Sequence, residues 1–167
     1  MPIKKHIEEN LKHLDQSYRG ETNPKRALYF SKLAILELCG WIEISMDEII
    51  TNYCDKKVIA LPNKKIVADI VKTTYGFEYE KHFRKMLLSL IGVVAFERLE
   101  ASVNVSIATK FKSHLVTLKN IRDRLAHTYI KGAPGINSLD APSVTLSRLR
   151  EIYDGLNEFK KQLNALR

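Results

Sequence analysis

The residue types with the clearest capacity for chemistry lie in one short segment, residues 120–129. Arg122 is a permanent cation whose planar fork fits a phosphate group. His127, five residues further on, titrates near neutral pH and can accept or release a proton. Together these side chains suffice for metal-free cleavage of an RNA phosphodiester. The histidine takes the 2′-OH proton or protonates the leaving oxygen, and the arginine stabilises the charge of the phosphorane-like transition state.

The spacing of Arg122 and His127 limits how they can cooperate. Five helical steps place the two side chains about 140° apart around the helix axis, so they do not stack on one face. Both can still border a pocket at the helix edge or at a contact with a second chain. The alternative interpretation is a helix C-terminus, where His127 and Lys131 complement the helix dipole and Arg122 pairs with an acid.

The overall charge is compatible with a polyanionic partner. The chain has 167 residues, a length typical of one domain over residues 1–167, and its 27 Lys and Arg against 19 Asp and Glu give a net charge of +8. A positive balance of this size is a hint of nucleic-acid contact. Lys119, Arg124 and Lys131 flank the arginine–histidine segment and are the natural phosphate contacts, although scattered lysines are often simply solvated.

Several other classes of protein are excluded by what the sequence lacks. It contains no Gly-rich phosphate loop, no His-Glu-x-x-His and no Gly-x-Ser-x-Gly. Cys39 and Cys54 are expected to be buried, reduced thiols. His6 and His13 lack a third ligand, so we expect neither a metal nor a cofactor. The first residues, MPIKKHIEEN, resemble no secretory signal and no stretch reaches the length of a membrane span, so we expect a cytoplasmic protein without membrane contact.

The hydrophobic periodicity is helical along almost the whole chain. It predicts helices over about residues 3–18, 25–53, 64–73, 78–99 and 107–127 and a last helix beginning near Pro142. The intervening segments are predicted to be a connection over 52–62, a linker over 101–108 and a loop around 132–135. The remaining histidines, including His82 and His114, are expected to be surface or half-buried residues. The predicted fold is an all-α bundle of five or six helices.

The arginine–histidine segment resembles the motif of HEPN domains. That motif has an arginine, an adjacent polar residue and a histidine four to six positions after the arginine, as in Arg122-Asp123-x-x-Ala126-His127. The extension His127-Thr128-Tyr129 matches the His-x-Tyr version in HEPN ribonuclease toxins of HEPN/MNT pairs. A helical bundle with a long apolar second helix, and with the motif near the end of a later helix, is similar to the same family.

The resemblance implies a metal-independent endoribonuclease that acts as a toxin or defence effector. It implies a symmetric homodimer in which two motifs face one cleft. Arg122 would hold the scissile phosphate and His127 would be the general base or acid. Asp123 would orient the pair by hydrogen bonds, and Tyr129 would line the site. In the paired toxins this tyrosine is the target of nucleotide transfer, so an antitoxin protein is a further implied partner.

Other implications of the resemblance concern the second helix and the length of the chain. HEPN domains linked to abortive infection tend to carry an acidic residue on the second helix, which implies Glu43, with Glu37 as the second choice. The chain is longer than the small toxins, with an insert across about residues 55–80, which is similar to the larger HEPN nucleases of phage defence. The alternatives to an enzyme are a HEPN-type domain that binds RNA or protein without cutting, and an unrelated helical interaction module.

Overall fold

A computed structural model describes residues 1–126 and 139–166, so His127, Tyr129 and Lys131 lie outside the described residues. The described part contains α1 (Lys4–Gly20), α2 (Pro24–Lys57), α3 (Leu61–Thr73), a π-helical turn (Tyr79–Phe83), α4 (Arg84–Ser102), α5 (Val105–Ala126) and α6 (Pro142–Ala165). It contains no strand, and the predicted all-α bundle is therefore confirmed for these residues.

The long helix α2 forms the centre of the bundle and contacts each of the other helices. Asn23 begins it, since its side-chain oxygen accepts hydrogen bonds from the Lys25 and Arg26 amides at 2.9 and 3.3 Å, with Pro24 in the first turn. Its inward face buries large apolar side chains almost completely: Ile35, Leu38, Ile42, Met46 and Ile50. Such a helix, apolar over more than half of its circumference, belongs in the middle of a bundle.

Two predicted connections are shorter in the structure than the sequence suggested. The connection predicted over 52–62 is wrong at its start, because α2 continues to Lys57 and buries Cys54 on the way. The linker predicted over 101–108 shrinks to two residues, Val103 and Asn104. The Asn104 side chain accepts a hydrogen bond from the Ile107 amide at 3.1 Å and so starts α5 early. Apolar and polar residues alternate in this segment, so the helical periodicity does not show where α5 begins.

An aromatic cluster joins α5 and α6 to the π-helical turn. Phe159 of α6 lies 5.7 Å from Phe83 and 5.8 Å from Phe111, measured between ring centroids. All three rings are buried. Gly155, one turn before Phe159, allows the backbone of α6 to approach Phe111 closely, because a Cβ atom there would lie 2.5 Å from the Phe111 Cβ.

Gly155→Ala is therefore expected to lower the free energy of unfolding by about 1–3 kcal/mol, since the added methyl group forces α5 and α6 apart. Gly20→Ala is the matched control: a Cβ at Gly20 meets nothing within 4 Å, and this variant should be as stable as the wild type. Urea denaturation of the three proteins measures the difference. Equal stability of the two variants would contradict the close packing of α5 on α6.

Candidate functional site

Arg122 lies near the end of α5 with its guanidinium over the face of an aromatic ring. Its Cζ atom is 4.8 Å from the centroid of Phe77, a ring that is 1% exposed. The Arg122 side chain itself remains 31% exposed. A guanidinium that stacks on a ring keeps its N–H groups in the plane, where they can bind an anion. Phe77 therefore acts as a platform that fixes Arg122 without using up its donors.

Asp123 also contacts the Arg122 guanidinium, through a hydrogen bond. The Arg122 Nη2 atom donates to Asp123 Oδ1 at 3.3 Å, and Lys119 Nζ lies 3.1 Å from Asp123 Oδ2. The hydrogen bond from Lys119, followed by that from Arg122, lowers the pKa of Asp123 below its usual range. Asp123 is consequently anionic at neutral pH and links the two cations.

The two predicted phosphate contacts that the structure describes, Lys119 and Arg124, lie on different sides of α5. Lys119 is engaged with Asp123, on the same side of α5 as Arg122. Arg124 is exposed and, two residues after Arg122, projects about 200° away around the helix axis. Lys131 lies outside the described residues. The structure thus brings Lys119 to Arg122 and places Arg124 on another face of α5.

Glu43 lies in the same region of the molecule as Arg122. Its Oε1 atom accepts a hydrogen bond from the Gly76 amide at 2.7 Å, and Gly76 directly precedes Phe77. The charges of Glu43 and Arg122 both act on the pKa of Cys39, so the two side chains share one electrostatic environment. This hydrogen bond from Gly76 to Glu43 connects the segment that carries Phe77 to the central helix α2.

Glu37, the second choice on α2, faces elsewhere. Its Oε2 atom is 3.4 Å from the Asn10 side-chain nitrogen, which donates to it from α1. The structure thus places Glu43, rather than Glu37, against the segment that carries Phe77, the ring under Arg122.

Cys39 is not a nucleophile at this site. It is 3% exposed, and burial raises the pKa of its thiol to about 12, although Arg122 acts in the opposite direction. The reactive form of cysteine is the thiolate, and it is not populated at neutral pH here. Cys39 and Cys54 are both buried and free, as predicted.

The segment between α3 and α4 contributes to the site, which the sequence did not predict. Gly76 and Phe77 lie in the predicted insert over 55–80, for which the sequence predicts no role, and His82 is expected only to be a surface or half-buried residue. The structure does place His82 in a half-buried position, but its ring packs against Gly76 at the edge of the site. The signal in the sequence is a glycine followed by phenylalanine in the short segment between two predicted helices. Phe77 is 45 residues from Arg122 in the sequence, so no local pattern indicates that the two side chains are in contact.

Asp47, one turn after Glu43 on α2, gives the region a pH-dependent effect on stability. Burial, with a smaller effect from the Glu43 charge, raises the pKa of Asp47 to about 6. A carboxyl group whose pKa is raised in the folded state binds its proton more tightly there than in the unfolded chain. The free energy of unfolding therefore falls as the pH rises from about 4 to about 6.

Asp47→Asn is expected to raise the free energy of unfolding by about 1 kcal/mol at pH 7, after allowance for the partial solvation of this carboxyl group. At pH 4 the same substitution should have little effect. Urea denaturation at both pH values measures this, with Asp69→Asn on the exposed face of α3 as the control. An equal effect of Asp47→Asn at the two pH values would contradict the assignment.

The described residues offer few other kinds of site. Within 1–126 and 139–166, no three His, Cys, Asp or Glu side chains are grouped so that they could hold a metal ion. No helix of this part is long and apolar enough to span a bilayer. Comparison of the chain with protein-family models, with curated proteins and with solved structures gives no match.

Proposed function

We propose that this protein is a metal-independent endoribonuclease of the HEPN type that acts as a toxin or defence effector. The observation that carries the proposal is the fixation of Arg122. Its guanidinium lies on the Phe77 ring and against Asp123, with its side chain still partly exposed to solvent. A preorganised cation of this kind stabilises charge that develops in a transition state. His127, five residues after Arg122 in the sequence, is close enough along the chain to serve the same site.

The proposed reaction needs only groups that the chain and the RNA supply. The 2′-oxygen of the RNA attacks the adjacent phosphorus atom and gives its proton to a base. The bond from phosphorus to the 5′-oxygen breaks, and this oxygen takes up a proton. The products are a 2′,3′-cyclic phosphate and a 5′-hydroxyl group. His127 moves one of these protons, and Arg122 binds the phosphate oxygens as their charge increases. Tyr129 would line the same site.

A homodimer is part of the proposal, and an exposed apolar stripe on α2 supports it. The stripe comprises Tyr29, Leu33, Leu36, Gly40 and Ile44, whose large side chains are between 37% and 53% exposed. On an ideal helix these residues cover an arc of about 80°, with an edge about 20° from Glu43. The stripe therefore lies on the face of α2 next to the one that carries Glu43, and we propose that a second copy seated on it brings the two Arg122 sites to one interface.

The stripe also borders a groove of about 380 Å³ between α1 and α2, which Leu36, Gly40 and Ile44 help to line. Contiguous exposed apolar surface of this kind is typical of interaction sites. A two-fold axis through the stripe would make the interface self-complementary, as in most homodimers. An antitoxin protein is the further partner that this proposal includes.

The test is incubation of the purified protein with a labelled RNA in excess EDTA, with sedimentation of the same sample to measure its mass. We expect cleavage, a dimer, and loss of the dimer in Ile44→Asp. The control Ile66→Asp alters an equally exposed apolar residue on α3 and should leave the dimer intact. RNA binding without cleavage would instead identify a binding module, and cleavage that requires a metal would exclude the proposed mechanism.

A further inference from the structure

The segment that carries the Phe77 platform is fixed to the rest of the protein at three points. The Gly76 amide donates to Glu43 Oε1 at 2.7 Å, the Phe77 ring is buried, and the Glu78 amide donates to His82 Nδ1 at 3.0 Å. The first and third contacts flank Phe77 on either side. Since Phe77 lies under Arg122, the position of the guanidinium depends on both of them.

His82 and Gly76 fit each other closely. Gly76 has a φ of +118°, a conformation that side chains other than glycine rarely adopt. A Cβ atom at Gly76 would lie 2.7 Å from His82 Cε1, so the imidazole ring lies directly against the glycine backbone. This close fit restricts the movement of the His82 ring. The ring in turn supports the segment from Gly76 to Glu78.

The hydrogen bond to His82 defines its protonation state. Nδ1 can accept from the Glu78 amide only when it carries no proton, so the ring is neutral with its hydrogen on Nε2. Burial lowers the pKa of His82 below its ordinary value of 6.5. Glu78 and Glu43 oppose this shift, whereas Lys81 and Arg122 add to it. The charged groups around the ring thus come from its own segment, from α2 and from α5.

We propose that neutral His82 is a positioning residue for Arg122: by accepting the Glu78 amide and packing on Gly76, it holds Phe77 beneath the guanidinium. The role of His82 in RNA cleavage rests on the proposed function, whereas its effect on Arg122 does not. Protonation of Nδ1 removes the acceptor and loosens the turn. Because burial lowers the pKa of His82 from its ordinary value of 6.5, Arg122 should leave the platform only at a pH below that value.

Nuclear magnetic resonance of Arg122 tests the inference without RNA. Protons of a guanidinium over a ring are shifted by the ring current, so the Arg122 Nε–H signal reports its position on Phe77. In the wild type we expect a shifted signal at pH 7.5 that moves towards the value of a free arginine on acidification. His82→Ala should give the free value at every pH. His82→Asn places an amide oxygen where Nδ1 was, and should keep the shifted signal across the whole pH range.

Two outcomes would overturn the inference: an unchanged Arg122 signal in His82→Ala, or the same pH dependence in His82→Asn as in the wild type. If His82→Ala does not fold, the comparison of the wild type with His82→Asn still decides. His13→Ala, at an exposed position of α1, is the control and should behave as the wild type.

RNA cleavage provides the second measurement. A displaced arginine should lower the rate at saturating RNA about 10–100-fold in His82→Ala. In His82→Asn the rate at pH 7.5 should be restored and its decline at acid pH should be weaker. If the wild type cleaves no RNA, the proposed function fails, and the Arg122 signal alone then decides whether His82 positions the arginine.

Discussion

Arg122→Ala is expected to lower the rate of RNA cleavage at saturating RNA by about 10²–10³-fold, the range typical of the loss of one preorganised donor at a developing oxyanion. The effect should fall mainly on the rate and less on RNA affinity, because the guanidinium acts most strongly on the transition state. Rapid-quench measurements under single-turnover conditions separate the two quantities. A change in RNA affinity alone would mean that Arg122 is only a binding residue.

Arg122→Lys tests whether the shape of the guanidinium matters as well as its charge. A lysine keeps the positive charge but cannot form a planar two-pronged contact with phosphate, so we expect only partial activity. Arg98→Ala is the matched control, since it removes an exposed arginine from α4, away from the candidate site. This control should cleave as fast as the wild type. The melting temperatures of all three variants should stay near that of the wild type.

His127→Ala is expected to reduce cleavage by about 10²–10⁴-fold, the usual contribution of a general acid or base. The expectation rests on the residue type and on the position of His127 five residues after Arg122 in the sequence. The wild-type rate should depend on pH with an inflection near the ordinary range of histidine, about pH 6–7. The pH dependence should be weaker in the residual activity of His127→Ala, which keeps only the decline at acid pH that we attribute to His82.

Two further measurements sharpen the His127 prediction. Expression of the wild type in bacterial cells should arrest growth, and His127→Ala should relieve the arrest while His13→Ala should not. The double variant Arg122→Ala/His127→Ala should be little slower than either single variant, because groups that act in one transition state lose their effects together. Strictly multiplicative losses would indicate that the two residues act in separate steps.

The helices could be predicted from the sequence because their apolar spacing is a local property. The pattern of Ile7, Leu11 and Leu14 gave α1, and the sparse breakers between Pro24 and Lys57 allowed one long helix. The errors occurred at helix ends, where single side chains decide the boundary. Asn104 starts α5 earlier than the periodicity suggests, and Cys54 extends the buried face of α2.

The candidate site could be predicted only in part, because its supports are tertiary contacts. Arg122 is predicted from its residue type and from the neighbouring histidine, and Asp123 from the family resemblance. Glu43 is predicted from the same resemblance, and the structure places its carboxylate at the Gly76 amide. Phe77 and His82 belong to the site because the chain between α3 and α4 passes close to the end of α5, next to Arg122. No periodicity within either segment encodes that approach.

The proposed mechanism is best tested by a side-by-side assay of wild type, Arg122→Ala and His127→Ala on one RNA in EDTA, with analysis of the product ends. We expect the wild type to yield 2′,3′-cyclic phosphate and 5′-hydroxyl ends without added metal, and both variants to be at least about 100-fold slower. Cleavage that persists in both variants, or that leaves 5′-phosphate ends, would contradict this mechanism.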